Sequence, residues 1–174
     1  MSTIQELKTF IRDVPDFPKK GILFKDFTPL LENAQAFRKT IDLFVERYRS
    51  TPIQKVVVVE SRGFVVGAPI AYALGAGVVV VRKKGKLPYK TDSITYDLEY
   101  GTDTLEIHQG SLQKNDRVLL VDDLLATGGT MGAVRRLVER QGAIVHECAF
   151  IIELTFLPGR KALEGAAVHS LISY

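Results

Sequence analysis

The chain of 174 residues has a single cysteine, Cys148, so no internal disulfide can form. A reducing compartment, the cytoplasm in the simplest case, is expected. Nowhere does an uninterrupted apolar run approach the ~18 residues of a membrane helix. The opening "MSTIQELKTFIRD" carries Glu6, Lys8 and Asp13 among its apolar residues, unlike a cleaved leader. A large excess of one charge is missing too: 23 Lys+Arg against 20 Asp+Glu leave +3. That is too weak an asymmetry for a dedicated nucleic-acid binder and suits a small anionic ligand better. Internal repeats and low-complexity tracts are absent. His108, His146 and His169 are dispersed, and "HEC" on a strand would send neighbouring side chains to opposite faces, so no zinc site is expected. What remains is a 46% apolar chain, long enough for one core and short for two, hence one soluble domain over residues 1–174.

The patterning predicts how that domain is built. Ile4, Leu7, Phe10 and Ile11 have helical spacing behind a Thr3-x-x-Glu6 capping-box pattern, and Pro15 and Pro18 close the segment. The stretch "PDFPKKGILFKDFTP" reads as irregular. Beyond it, Phe37, Thr40, Ile41, Phe44, Val45 and Tyr48 mark one face of a longer helix that Asn33 can cap. "KVVVV" and "AGVVVV" are β-branched runs without alternation, as expected of strands covered on both faces in a parallel sheet. "VVGAPIAYALG" between them reads as a crossover helix with Pro69 near its start and Gly75 at its end. A second unit follows: strand "RVLLV", a helix striped by Met131, Val134, Leu137 and Val138 and ended by Gly142, then strand "IVHECAFIIEL". Between the two units, residues 82–110, with the flap at 82–100, are first basic with Gly85 and Pro88, then rich in tyrosine, threonine and acids with partial alternation. They are expected to form a mobile flap that returns through a short antiparallel pair. The last stretch, "LPGRKALEGAAVHSLISY", offers a short helix and a terminal strand but no site. The expected fold class is α/β, an open, mainly parallel twisted sheet flanked by helices.

The chemistry concentrates in "VLLVDDLLATGGT". A buried aliphatic strand ends in Asp122 and Asp123, and five residues later comes Gly128, which with Gly129 stands between Thr127 and Thr130. In open α/β sheets ligands lie beyond the carboxyl ends of strands. Backbone amides of the Ala126 to Thr130 turn can converge on an anion at a helix start. Free phosphate would be repelled by the acids. A ribose 5-phosphate resolves the conflict, with its phosphate on the loop and its 2′ and 3′ hydroxyls on the carboxylates. Rival phosphate motifs fail: "GVVVVRKKGKL" has the wrong spacing for a P-loop, and "GAGVVV" lacks the third glycine of a dinucleotide fingerprint. By itself an acid pair more often caps a helix; the attached Thr-Gly-Gly-Thr favours a site.

"VLLVDDLLATGGT" resembles the phosphoribosyl-pyrophosphate signature of the type I phosphoribosyltransferase family, in the form carried by its adenine-specific members. "PDFPKKGILFKDFTPLL", "ESRGFVVGAPIAYALG" and "VRKKGKLP" with "TYDLEYGTDTLEIH" extend the resemblance over nearly the whole chain, in the family's order. The resemblance implies attack of adenine N9 on C1′ of 5-phosphoribosyl-1-pyrophosphate, giving AMP and pyrophosphate in purine salvage. It implies Mg²⁺ bound through the substrate with no firm protein ligand, a homodimer, a hood over residues 1–33, and no nucleic-acid or membrane partner. It implies that Asp122 and Asp123 face the developing ribose cation and that Ala126, Thr127, Gly128, Gly129 and Thr130 hold the 5′-phosphate. Pyrophosphate falls to Ser61, Arg62 and Gly63 of "ESRG" and to Arg82, Lys83 and Lys86 of "RKKGK", with Lys84 and Lys90 left as solvated charges. Glu99 handles the purine proton, and Tyr100 helps close the site. Adenine is read by the main chain around Leu23 and Lys25, with Phe24 against the ring. Two other readings stay open at this point: a transferase for another purine such as xanthine, and a non-catalytic regulator of the same fold that binds nucleic acid.

Overall fold

The computed structural model describes residues 2–97 and 101–174, and the chain divides into two units, Met1–Glu46 and Arg47–Tyr174. In the first unit, helix α1 (Thr3–Lys8) opens one residue earlier than the pattern suggests. The Ser2 hydroxyl accepts from the Gln5 amide at 3.3 Å and the Gln5 side chain accepts from the Ser2 amide at 3.1 Å. Glu6, the expected capping partner, instead accepts from Lys39 Nζ at 2.7 and 2.8 Å. The stretch read as irregular contains a hairpin, β1 (Arg12–Pro15) against β2 (Leu23–Asp26). Four-residue strands are too short for alternation to register. Directly opposed charges hold them: Arg12 meets Asp26 at 2.6 Å and Lys25 meets Asp13 at 2.6 Å. Helix α2 (Thr28–Glu32) carries Pro29 in its first turn. Asn33 then caps α3 (Ala34–Tyr48) as expected, its side-chain Oδ1 accepting from the Gln35 and Ala36 amides at 3.1 and 2.9 Å.

The second unit is built on β3 (Lys55–Val59), α4 (Arg62–Leu74), β4 (Gly77–Lys83), β5 (Thr91–Asp97), β6 (Thr102–His108), β7 (Arg117–Leu125), α5 (Gly129–Arg140), β8 (Ile144–Glu153), α6 (Gly159–Ala162) and β9 (Val168–Ser173). Its sheet has the order β5-β6-β4-β3-β7-β8-β9. Strands β4, β3, β7, β8 and β9 are parallel; β6 runs antiparallel to β4, and β5 antiparallel to β6. The valine runs explain the layering, because a strand apolar on both faces is stable only when both are covered. Val57, Val59, Val118 and Leu120 share a core with Val134, Leu137 and Val138 of α5. The alternate residues point the other way and meet α4, where Gly67 stands so close to Val58 that a Cβ would overlap its side chain. No helix of the described residues is long and apolar enough to cross a membrane.

Two expectations are corrected. Helix α4 begins at Arg62, so Pro69 lies well inside it and not near its start, while Gly75 ends it with φ +68° as expected. The expected antiparallel pair is present as β5–β6, but the segment 82–100 is not a flap throughout: Arg82 and Lys83 finish β4, and Thr91–Asp97 form the edge strand, whose Ile94 and Tyr96 are buried in the core with α5. Burial of alternate residues anchors that strand. Glu99 and Tyr100 lie outside the described residues.

A buried carboxylate on β8 carries the unit's clearest pH dependence. Glu147 is 6% exposed and accepts from Arg47 Nε and Nη2 at 2.7 and 2.8 Å and from the Tyr48 phenol at 2.6 Å. Burial raises its pKa, but the bonds from Arg47 and Tyr48 outweigh that and hold the carboxyl below its ordinary range. A carboxylate depressed in the folded state contributes stability above its unfolded pKa, and that contribution is lost as pH falls through the folded value. Glu147→Gln is therefore expected to cost about 1–2 kcal/mol at pH 7, the partly exposed Arg47 keeping the figure modest. Thermal unfolding should show a Tm lower by about 2–8 °C at pH 7 and a difference from wild type that shrinks as pH is lowered past about 4.

Candidate active site

The chain leaves β3 through α4 towards β4 and leaves β7 through α5 towards β8, in opposite directions along the sheet. The carboxyl ends of these neighbouring strands therefore open a crevice that no crossover covers. A cavity of about 380 Å³ lies there. Asp122 and Asp123 line it from β7, residues 126–130 from the turn into α5, Ser61 and Arg62 from the start of α4, and Lys83 from the end of β4.

The loop following β7 has the geometry of an anion cradle. Gly128 has φ +81°, a left-handed conformation that side chains resist, and it serves as the N-cap of α5 without contributing a side-chain bond. The first turn of a helix leaves its N–H groups without intrahelical partners and carries the positive end of the dipole. Thr130 is tied to the edge strand, its hydroxyl 3.2 Å from the Tyr96 phenol oxygen. No acidic residue occupies the first turn of α5, so nothing on the helix competes with a bound anion.

The acids stand side by side in β7, with Asp123 only 6% exposed. Asp123 Oδ2 meets Arg62 Nε at 2.7 Å, and Asp122 Oδ1 accepts the Asp123 amide at 2.9 Å. Burial pushes the Asp122 carboxyl well above the ordinary range, and the Asp123 charge pushes the same way. Gly63 is part of this arrangement in a different sense from the expected one. It does not line the cavity; a Cβ there would stand 3.0 Å from Asp122 Oδ1 and from the Val121 carbonyl, so its bare backbone lets α4 seat against the acid pair.

The expected pyrophosphate cations are present and already paired. Lys83 Nζ meets Asp103 at 3.0 Å, and Arg82 and Lys86 both reach Glu60, at 2.8 and 2.7 Å. Lys83, Glu60 and Asp103 line the cavity; Arg82 and Lys86 stand behind Glu60. Burial raises the Glu60 carboxyl, but bonds from Lys86 and Arg82 overcome this and hold it low; the bond to Asp103 raises Lys83. Glu60 and Asp103 carry no signal of a site in the sequence, although Glu60 opens the "ESRG" stretch, because an acid amid cations suggests no anion site. Leu23, Phe24 and Lys25 all lie in β2, where Lys25 pairs with Asp13 and the Phe24 ring meets Phe17 edge-on at 5.2 Å.

With this geometry in place, comparison with known proteins is decisive. A family model described as the phosphoribosyl transferase domain matches residues 27–162. The chain belongs to the phosphoribosyltransferase family. It is 56% identical over 171 residues to the adenine phosphoribosyltransferase of Trichlorobacter lovleyi, covering 98% of this chain and 100% of that one. Among solved structures, adenine phosphoribosyltransferase from Thermoanaerobacter pseudethanolicus superposes with a TM-score of 0.95 at 51% identity, covering 98% of this chain and 99% of the other. The Saccharomyces cerevisiae enzyme, complexed with D-2,5-dideoxy-2,5-imino-altritol 1,6-bisphosphate and adenine, gives 0.92 at 43% identity, covering 97% and 98%. The open, mainly parallel sheet described above is thus the type I phosphoribosyltransferase fold.

In a phosphoribosyltransferase site the buried acid pair should weaken the ligand-free protein. A carboxyl whose pKa is raised by folding destabilises the native state once pH exceeds its unfolded value of about 3.9. Asp122→Asn keeps the oxygen that accepts the Asp123 amide and removes the charge. It is expected to raise Tm by about 2–4 °C at pH 7, an advantage that disappears near pH 4 in a thermal-unfolding series.

Proposed function

We propose that this chain transfers the 5-phosphoribosyl group of 5-phosphoribosyl-1-pyrophosphate to N9 of adenine, forming AMP and releasing pyrophosphate, a purine-salvage reaction. The observation that carries the reading is one cavity holding both the glycine loop of residues 126–130 and the acid pair Asp122–Asp123, in a chain of which relatives named adenine phosphoribosyltransferase are more than half identical. A sugar monoester fits both features at once, its phosphate on the amides and its vicinal hydroxyls on the carboxylates.

The C1′ to pyrophosphate bond breaks as C1′ to N9 forms, and the N9 proton leaves the ring. Positive charge grows on the ribose while negative charge gathers on the leaving group. Asp122 and Asp123 hold the hydroxyls beside the growing cation, and Arg62, bonded to Asp123, couples the acids to the pyrophosphate side of the cavity. Lys83 faces that side, and Ser61 lines it. Pyrophosphate entering here exchanges the carboxylate partners of these cations for its own oxygens. In this reading Glu99 handles the purine proton and Tyr100 helps close the site, as the family resemblance implies. Adenine is read by the main chain around Leu23 and Lys25 with Phe24 against the ring; a carbonyl that accepts the exocyclic amine leaves two acceptors facing each other when a 6-oxo purine enters.

Two adjacent carboxylates are hard oxygen donors suited to Mg²⁺, yet one of them is already engaged by Arg62, which favours a metal arriving on the substrate. When bound there, Mg²⁺ neutralises pyrophosphate charge as a Lewis acid. The same reading assigns a cytoplasmic homodimer, and the exposed Val65 and Tyr72, two turns apart on α4, supply an apolar stripe for such an interface.

The test mixes protein, magnesium and phosphoribosyl pyrophosphate with adenine, hypoxanthine, guanine or xanthine and follows nucleotide and pyrophosphate. Turnover with adenine is expected; turnover with xanthine alone, or with no base, contradicts the proposal. Asp123→Asn should lower kcat on the order of 100-fold or more, and a near-normal rate would reduce the acids to a structural turn.

A further inference from the structure

The phosphate loop has a back wall, built by the stretch near the carboxyl end in which the sequence shows no site. Gly159, the first residue of α6, lies so close to the loop that a Cβ would overlap the Ala126 carbonyl oxygen and stand 2.8 and 2.9 Å from Leu125 side-chain carbons. Contact is reciprocal: a Cβ on Gly128 would stand 2.5 Å from the Gly159 carbonyl oxygen and 2.8 Å from Ala162 Cβ. Backbone therefore presses on backbone, and the depth of the cradle is set by where α6 sits.

A four-residue helix cannot hold itself in place. Arg160 holds it. Its Nε and Nη2 donate to the two oxygens of Glu153 at 2.6 and 2.8 Å, a bidentate pair, and Nη1 donates to the Val168 carbonyl at 3.3 Å. Glu153 closes β8 and is 4% exposed; the Arg160 bond is the main reason its carboxyl stays low. From α5, Arg135 Nη1 donates to the Glu164 carbonyl at 2.9 Å, just past the end of α6. The short helix is thus fastened to β8, β9 and α5.

We infer that Arg160, Glu153 and Gly159 are positioning residues of the 5′-phosphate loop: the ion pair clamps α6, and α6 sets the Ala126–Gly128 backbone at the depth a phosphate monoester requires. The inference rests on the function proposed above. None of the three lines the cavity. Their action is selective, because the pyrophosphate side is built from Ser61, Arg62 and Lys83 on the far side of β7 from β8 and α6.

Selectivity supplies the test. Full-length wild type, Arg160→Met, Arg160→Lys and Gly159→Ala are titrated with AMP and, separately, with magnesium pyrophosphate, and steady-state constants are measured with adenine. In Arg160→Met the AMP Kd and the KM for phosphoribosyl pyrophosphate should rise roughly 10-fold, while the pyrophosphate Kd and the saturated kcat stay within about 3-fold. Lysine should restore part of the loss, since it keeps the charge without the fork. Gly159→Ala should reproduce the AMP defect with the ion pair intact, which also decides the matter if Arg160→Met does not fold. Unchanged AMP binding in both Arg160→Met and Gly159→Ala, or equal loss of AMP and pyrophosphate binding, overturns the clamp. A wild type that neither binds AMP nor turns over adenine overturns the proposed function itself, and the clamp with it.

Discussion

Two carboxylates, adjacent in a strand and largely withdrawn from water, stand beside the positive end of a helix. Everything else in the second unit is arranged to make that tolerable. Arg62 compensates one acid and the Asp123 amide bonds the other, but withdrawing two adjacent like charges from water remains costly and raises the Asp122 carboxyl. Such costs cluster at sites where a ligand or a reaction makes use of them. A ribose phosphate meets both needs, its hydroxyls donating to the acids and its phosphate answering the helix.

The sheet explains why these groups can meet. Aliphatic β3 and β7 must be covered on both faces, so their crossovers pass to opposite faces and opposite sides, leaving their carboxyl ends uncovered. The glycines complete the approach, Gly67 letting α4 lie on the sheet, Gly63 admitting the Asp122 carboxylate and Gly128 turning the chain into α5. Cations on the β4 side are held in ion pairs with Glu60 and Asp103, which compensates their charge within the protein.

The central strands, the α5 stripe, Asn33 as a cap and the "VLLVDDLLATGGT" cradle were all legible in the sequence, because each rests on local periodicity or on residues adjacent in the chain. Legibility failed where partners are distant or short. The β1–β2 hairpin depends on pairs such as Arg12 with Asp26, fourteen residues apart, and its strands are too brief to show a period. The antiparallel return of residues 82–110 was legible as the pair β5–β6, but its extent was not: charges and glycine suggested mobility up to residue 100, whereas buried Ile94 and Tyr96 anchor β5 to the core. Glu60 and Asp103 gain meaning only once Arg82, Lys86 and Lys83 are seen beside them. Gly159 gave no signal at all, since its role appears only when α6 is seen against the loop.

The central claim is that one sugar monoester is held at both ends within the β3–β7 crevice. A crystal structure of the protein with AMP measures this directly. The account predicts the 5′-phosphate on the amides of residues 126–130 and the 2′ and 3′ hydroxyls within hydrogen-bond distance of Asp122 and Asp123. Nucleotide bound elsewhere, with that loop and the acid pair making no contact to it, would contradict the account.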